Sequence, residues 1–263
     1  MYVDHDIAPP AAVTAVYGGW RWTAVSVYPQ QVTWRLSRDA TIRYLKVGAV
    51  GNYPSLRAEA ARINWAAAHL PVPAVVDIGG DGMCEWLVTT AVVGCPASDR
   101  TVGDVRNVVV ALAAGLRQFH ERAPLGDCPF DFSVDVALEH VRRRVARGLV
   151  DPVEDFHDEH RHLESPAAAL RELERLCPAG EELVVCHGDY CPPNALMHAG
   201  RVVGFVDLGE LAVADRWWDL AVATWSTTWT FGPGLESLFL GTYGAELDPD
   251  RQAFYRLLFD IAS

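Results

Sequence analysis

Five polar residues of this chain have the types and the order that phosphoryl transfer requires. The stretch "VVCHGDYCPPNALM", Val184 to Met197, sets His187, Asp189 and Asn194 between two apolar runs, and Asp207 closes the next strand-like run in "GFVDLGE". A hydroxyl acceptor needs a carboxylate to orient it and take its proton, and the phosphates need a hard cation held by oxygen ligands. Asp189 is the candidate base; Asn194 and Asp207 are the candidate Mg²⁺ ligands. Pro192 and Pro193 stiffen the loop and lower the entropy cost of holding these groups in place. Upstream, Lys46 in "RYLKVG" and Glu59 in "SLRAEAARINWAAAHL" offer a strand ammonium and a helix carboxylate able to hold it toward a nucleotide's α- and β-phosphates.

These groups need elements to position them. Residues 20 to 47 alternate β-branched and aromatic positions in "WRWTAVSVY", "QVTWRLS" and "TIRYLKV", which predicts an antiparallel meander with Lys46 at the end of its third strand. Leu56, Ala60, Ile63 and Ala67 then recur at helical spacing, with Ser55 as N-cap and Pro71 after the end. "AVVDIG" and "CEWLVTTAVVG", split by the turn "GDGM", complete a five-stranded sheet with that single helix against it. Beyond Gly94 the pattern becomes helical, first over 101 to 122 and again in "SPAAALRELERLC", where Ser165 caps and Pro166 takes the first helical position. Short strands return at "LVVCHG" and "VVGFVDL", and these are expected to pair and so deliver Asp189, Asn194 and Asp207 to one loop region. The expected organisation is an α+β fold in two lobes, residues 1–93 binding nucleotide and residues 94–263 carrying catalysis and substrate.

Composition narrows the partners. A chain of 263 residues with 22 Lys+Arg against 34 Asp+Glu has a formal net charge of −12, which disfavours nucleic acid and anionic membrane surfaces and favours a cationic ligand. The six cysteines show no C-x-x-C pair and no dense scaffold spacing, as expected of reduced thiols in a cytoplasm. The N-terminus "MYVDHDIAPPAAV" lacks a basic region followed by an apolar one, and no apolar run approaches the length of a bilayer span.

The chain resembles the aminoglycoside phosphotransferase family, in the branch of 3'- and 3''-kinases. The family's catalytic loop reads H-G-D-x-x-x-x-N where protein kinases have H-R-D-x-x-x-x-N, here His187, Gly188, Asp189 and Asn194, followed by Val206-Asp207 in place of D-F-G. "GFVDLGELAVADRWWDLA", "LGDCPF" and "AFYRLL" are also similar to that branch. The resemblance implies a bilobal protein-kinase-like fold in which a γ-phosphoryl moves from ATP or GTP, with Mg²⁺, to a hydroxyl of a small antibiotic, giving resistance or self-protection. It implies that Asp189 is the base, that Asn194 and Asp207 hold metal, and that Lys46 and Glu59 form the nucleotide's ion pair. The backbone of "TTAVV", with Thr89 and Ala91, would read the purine. Asp215 and Asp219 match family acids that brace the catalytic loop, and His187 is read as a buried support for the same loop.

Three features depart from the family pattern. The segment expected over the phosphates, "SVYPQQV", has no glycine, so contacts there fall to backbone N–H groups, Ser26 or Gln30; Glu210 stands where relatives usually carry Arg. Aminoglycosides are polycations, and this chain keeps acids for them in "DPVEDFHDEH", with Glu154, Asp155, Asp158 and Glu159 as candidate substrate ligands and Asp260 near the C-terminus as another. Elsewhere tryptophans replace acids. Trp218, Val222, Trp225 and Trp229 form one helical stripe, which fits either a packed core or, at Trp225 and Trp229, a flat wall of the substrate site. That wall raises a nucleoside or other less cationic antibiotic as an alternative acceptor. A non-catalytic binder on a kinase-like scaffold is the alternative of a different class.

Overall fold

The structure is a computed structural model, which describes residues 9–28 and 30–262. Residues 1–8 of the tract read for a leader and Pro29 of the phosphate loop lie outside the described residues. Two compact units emerge: one from the described part of Met1–Val92 together with Val206–Gly209, the other from Val93–Phe205 and Glu210–Ser263.

The first unit is built on an antiparallel sheet of order β1-β2-β3-β5-β4, from β1 (Arg21–Tyr28), β2 (Gln31–Arg38), β3 (Thr41–Ala49), β4 (Val75–Gly80) and β5 (Cys84–Thr90). Because side chains alternate along a strand, β3 buries Leu45 and Val47 on one face and turns Lys46 to the other. Leu45 and Val47 join Leu36 and Val88 in a core closed by Val13 and Tyr17 of α1 (Ala11–Tyr17), a helix the sequence pattern did not reveal. The opposite side is served by α2 (Leu56–Ala66), which buries Leu56, Glu59, Ala60 and Ile63. Its first turn is fixed by Ser55, whose hydroxyl accepts from the Ala58 amide at 3.2 Å, a cap of about 1 kcal/mol. Lys46 does not end its strand, which continues to Ala49.

The second unit holds α3 (Val105–Arg122), α4 (Val134–Ala146), α5 (Pro166–Leu176), α6 (Trp217–Phe231), α7 (Glu236–Tyr243) and α8 (Pro249–Ala262), with two small sheets. One pairs β7 (Leu183–Cys186) with β10 (Ala212–Asp215); the other has order β6-β8-β9, from β6 (Cys95–Pro96), β8 (Ala195–His198) and β9 (Arg201–Phe205). The expected pairing of "LVVC" with "VVGF" is therefore wrong. Ala199 and Gly200, at φ 48° and 75°, turn the chain immediately after β8, so β9 pairs with its sequence neighbour and β7 is left for β10. The core runs along α3, where Leu112, Leu116 and Phe119 are buried and Phe119 meets Phe205 edge-on at 4.9 Å. Gly115 of α3 is required for this packing, since a Cβ there would stand 2.8 Å from Val202. Trp217 and Trp218 are buried in the same unit. Among the described residues no helix is long and apolar enough to cross a membrane.

Candidate functional site

Within the first unit the Lys46 ammonium donates to both oxygens of Glu59, at 2.7 and 3.0 Å, and to Oδ1 of Asp207 at 2.7 Å. Burial alone would lower the pKa of Lys46, but the carboxylates of Asp207 and Glu59 outweigh it and raise the pKa, so the ammonium stays charged. Burial in turn pushes Glu59 up against the pull of Lys46. Asp207 adopts φ 62°, a left-handed conformation that a short polar side chain tolerates. Gly209 is tight against Pro54, where a Cβ would approach to 2.6 Å.

The nucleotide-reading candidates lie in the same unit. Thr89 is inside β5, opposite Tyr44 of β3 and Val75 of β4, whereas Ala91 follows the strand and stands outside the ladder. Ser26 sits at an irregularity of β1 between Ala24 and Ser26, and the Gln30 carbonyl is engaged by the Ala49 amide at 3.0 Å and the Asn52 amide group at 2.9 Å.

The second unit holds the Asp189 loop from behind. Asp219, fully buried at the start of α6, accepts the His187 amide at 2.7 Å, the Gly188 amide at 2.8 Å and His120 Nε2 at 2.9 Å. His120 then takes the Tyr243 hydroxyl on Nδ1 at 2.8 Å. His120, Cys186 and Asp219 cluster closely enough to resemble a metal site, but both Asp219 oxygens already serve N–H donors, which makes this a brace. Gly188 has φ 90°, and a Cβ there would stand 2.3 Å from the Glu210 Cβ, so glycine is the residue that fits beside this loop. His187 is buried and accepts the Asp189 amide on Nδ1 at 3.3 Å. Asn194 donates its amide nitrogen to the Asp189 carbonyl at 3.0 Å and to Asp189 Oδ2 at 2.9 Å. That leaves its amide oxygen to serve a cation. Each unit thus offers a hard oxygen donor of the kind Mg²⁺ takes, the Asn194 amide oxygen in the second and the Asp207 carboxylate in the first. Asp215 is buried too, accepting the Trp217 and Glu182 amides and pairing with Arg251, so it ties the start of α6 to the approach to β7.

A cavity of about 270 Å³ opens elsewhere in the second unit, lined by Glu154, Asp155, Asp158 and Glu159 together with Trp225, Trp229 and His157. Four expected acids and two expected tryptophans thus share one wall, while Trp218 belongs to the core. Two acids are matched by cations, Asp158 by Arg161 at 2.9 Å and Glu159 by Arg256 at 3.4 Å. Asp260, expected among the substrate acids, is not on that wall. Its carboxylate is fully buried and accepts His157 Nδ1 at 2.6 Å, His160 Nδ1 at 2.7 Å and the His157 amide at 2.9 Å. Sequence reasoning missed His157, although it stands inside the acidic stretch "DFHDEH" that drew attention to the site.

A strand lysine held by a helix glutamate in an antiparallel five-stranded unit, and an H-G-D-x-x-x-x-N loop braced from a helix, define a kinase-like phosphotransferase. The model of the phosphotransferase enzyme family matches residues 30–256, and the chain belongs to that family. It is similar to an aminoglycoside 3'-phosphotransferase of Streptomyces fradiae, at 42% identity over 212 residues, 77% of this chain and 78% of that protein. Its fold is similar to the crystal structure of an aminoglycoside 3'-phosphotransferase of type VIII, with a TM-score of 0.84 and 38% identity over 95% of this chain and 96% of that one. It is also similar to aminoglycoside phosphotransferase APH(3'')-Id from Streptomyces rimosus, solved with ADP and streptomycin, with a TM-score of 0.78 and 29% identity over 96% and 98% of the two chains. The protein is a phosphotransferase acting on a hydroxyl group. Neither the nucleoside acceptor nor the non-catalytic binder finds support among these relatives.

Proposed function

We propose that this enzyme phosphorylates a hydroxyl of an aminoglycoside at the expense of ATP or GTP, and does so in the cytoplasm as a resistance or self-protection step. The observation that carries the acceptor class is the acid-lined cavity, because four carboxylates around an aromatic floor suit an oligosaccharide bearing several ammonium groups. All six cysteines are free, consistent with a reducing compartment.

In this reading Asp189 orients the acceptor hydroxyl and takes its proton, with Asn194 fixing the carboxylate's direction through Oδ2. Lys46, held by Glu59, contacts the α- and β-phosphates; the backbone at Thr89 and Ala91 reads the purine, and Ser26 lies toward the phosphates. Asn194 and Asp207 would hold Mg²⁺, which when bound neutralises charge on the phosphoryl oxygens. Asp215, Asp219 and His187 keep the loop in register, and Asp260 acts at the substrate cavity through His157. The test is nucleotide consumption by purified protein with Mg²⁺, given ATP and GTP in parallel against a panel of aminoglycosides. Turnover with at least one member is expected; silence across the panel with both nucleotides would overturn the acceptor class.

A further inference from the structure

In the proposed substrate cavity, His157 carries a ring nitrogen that is held in place but unused. His157 has 39% of its side chain exposed, lines the cavity, and makes no hydrogen bond through Nε2 to any described residue. Its other contacts fix the ring closely. Nδ1 is 2.6 Å from Asp260, the ring is stacked on Trp229 with centroids 4.4 Å apart and planes 9° apart, and Trp225 packs on it at 4.6 Å. The amide of His157 itself is tied to Asp260 at 2.9 Å, so backbone and ring are anchored on one buried carboxylate.

That carboxylate determines the tautomer. A carboxylate accepts only, so Nδ1 must be the donor, and the neutral ring therefore carries its lone pair on Nε2. The acids of the cavity are long or exposed: Asp158 is 91% exposed and Glu159 43%, and both share their charge with arginines. Nε2 differs from them. In the neutral ring it is an acceptor whose direction is set before the ligand arrives, so a bond to it costs little ordering entropy.

We infer that His157 is a substrate ligand and specificity-determining residue, its Nε2 accepting an N–H from a protonated amine or guanidinium of the acceptor, with Asp260 as the residue that positions it. This rests on the proposed aminoglycoside activity and adds a group to the acids read from the sequence.

Two substitutions separate the ligand role from a structural one. Asn at position 157 retains an amide near the Nδ1 position, able to donate to Asp260, but has nothing at Nε2; Gln places an amide near Nε2. A hydrogen bond between a neutral acceptor and a cation corresponds to a tenfold or larger change in binding. His157→Asn is expected to raise the aminoglycoside KM about tenfold or more with kcat within about twofold, and His157→Gln to stay within about threefold of wild type in both. Thermal melts of each variant establish folding, and if the Asn variant is unfolded, the Gln variant alone decides. A Gln variant whose KM rises as far as tenfold, or an Asn variant with unchanged KM, overturns the inference while wild-type turnover leaves the proposed function standing. Absence of wild-type turnover with every aminoglycoside overturns both.

Discussion

The Asp189 loop and the acid-lined cavity belong to the same unit and are held in opposite ways. Behind the loop, a buried Asp219 satisfies two backbone amides and an imidazole, and Asn194 secures Asp189 itself. Around the cavity the carboxylates are largely exposed, two of them shared with arginines, and all are carried by an irregular stretch between α4 and α5. Catalysis of the kind proposed for this loop tolerates little displacement of its groups, and the bracing is of the kind such chemistry needs. Recognition of a polycation, the acceptor proposed above, needs charge more than exact position, and exposed acids suffice for that. Within that exposed wall the exception is His157, whose amide and ring are both held by the buried Asp260.

This contrast predicts a graded set of effects. Asp219→Ala should be the most damaging, because it orphans the His187 and Gly188 amides and His120 in a buried place; a loss of about 3–5 kcal/mol is expected in urea unfolding. A loss near zero would mean the brace is dispensable. Lys46→Met should lower kcat/KM for the nucleotide by about 10–100-fold, the worth of one charge-assisted hydrogen bond to phosphate, with the aminoglycoside KM little changed.

Asp260→Asn comes next, at about 2 kcal/mol near neutral pH, read as a fall in Tm of roughly 4–8 °C. Its pH dependence has a defined sign. Burial works to raise the Asp260 pKa, but hydrogen bonds from His157 and His160 outweigh it, and the carboxyl lies below its ordinary value of about 3.9. A depressed carboxyl contributes its full stability above the unfolded value and loses it as pH falls through the folded one. The wild type should therefore lose its advantage over Asp260→Asn below about pH 4, and a gap that persists unchanged under acid would refute the assignment of Asp260 as a hydrogen-bonded carboxylate. Smallest of all, Asp158→Asn should change aminoglycoside KM by less than about threefold, since that carboxylate is 91% exposed and paired at the surface.

Much of this molecule was legible because its signals are local. Ser55 and Ser165 cap helices where the pattern places them, and β1 to β5 follow their alternation and turns. The helix α1 escaped because it has seven residues, no side-chain cap, and only Val13 and Tyr17 buried. The pairing of β7 with β9 was misjudged because β8 has four residues, three of them buried in a row, and so shows no alternation. At the candidate site, residue types and spacing drew attention to Lys46, Glu59, Asp189, Asn194 and Asp207, since phosphoryl chemistry restricts them. The same reasoning could not distinguish an acid that faces a ligand from one that anchors another residue. Asp260 is of the second kind, and the turn of α8 that buries it is set by tertiary packing.

The central claim is that Asp189 is the base of an aminoglycoside phosphotransferase, and its most direct test is mass spectrometry of the acceptor after incubation with nucleotide and Mg²⁺, comparing wild type with Asp189→Ala. The account predicts a phosphorylated aminoglycoside from the wild type and a rate at least about 10²–10⁴-fold lower from the variant, with an unchanged melting temperature. A folded Asp189→Ala enzyme that forms the same product at a comparable rate would contradict it.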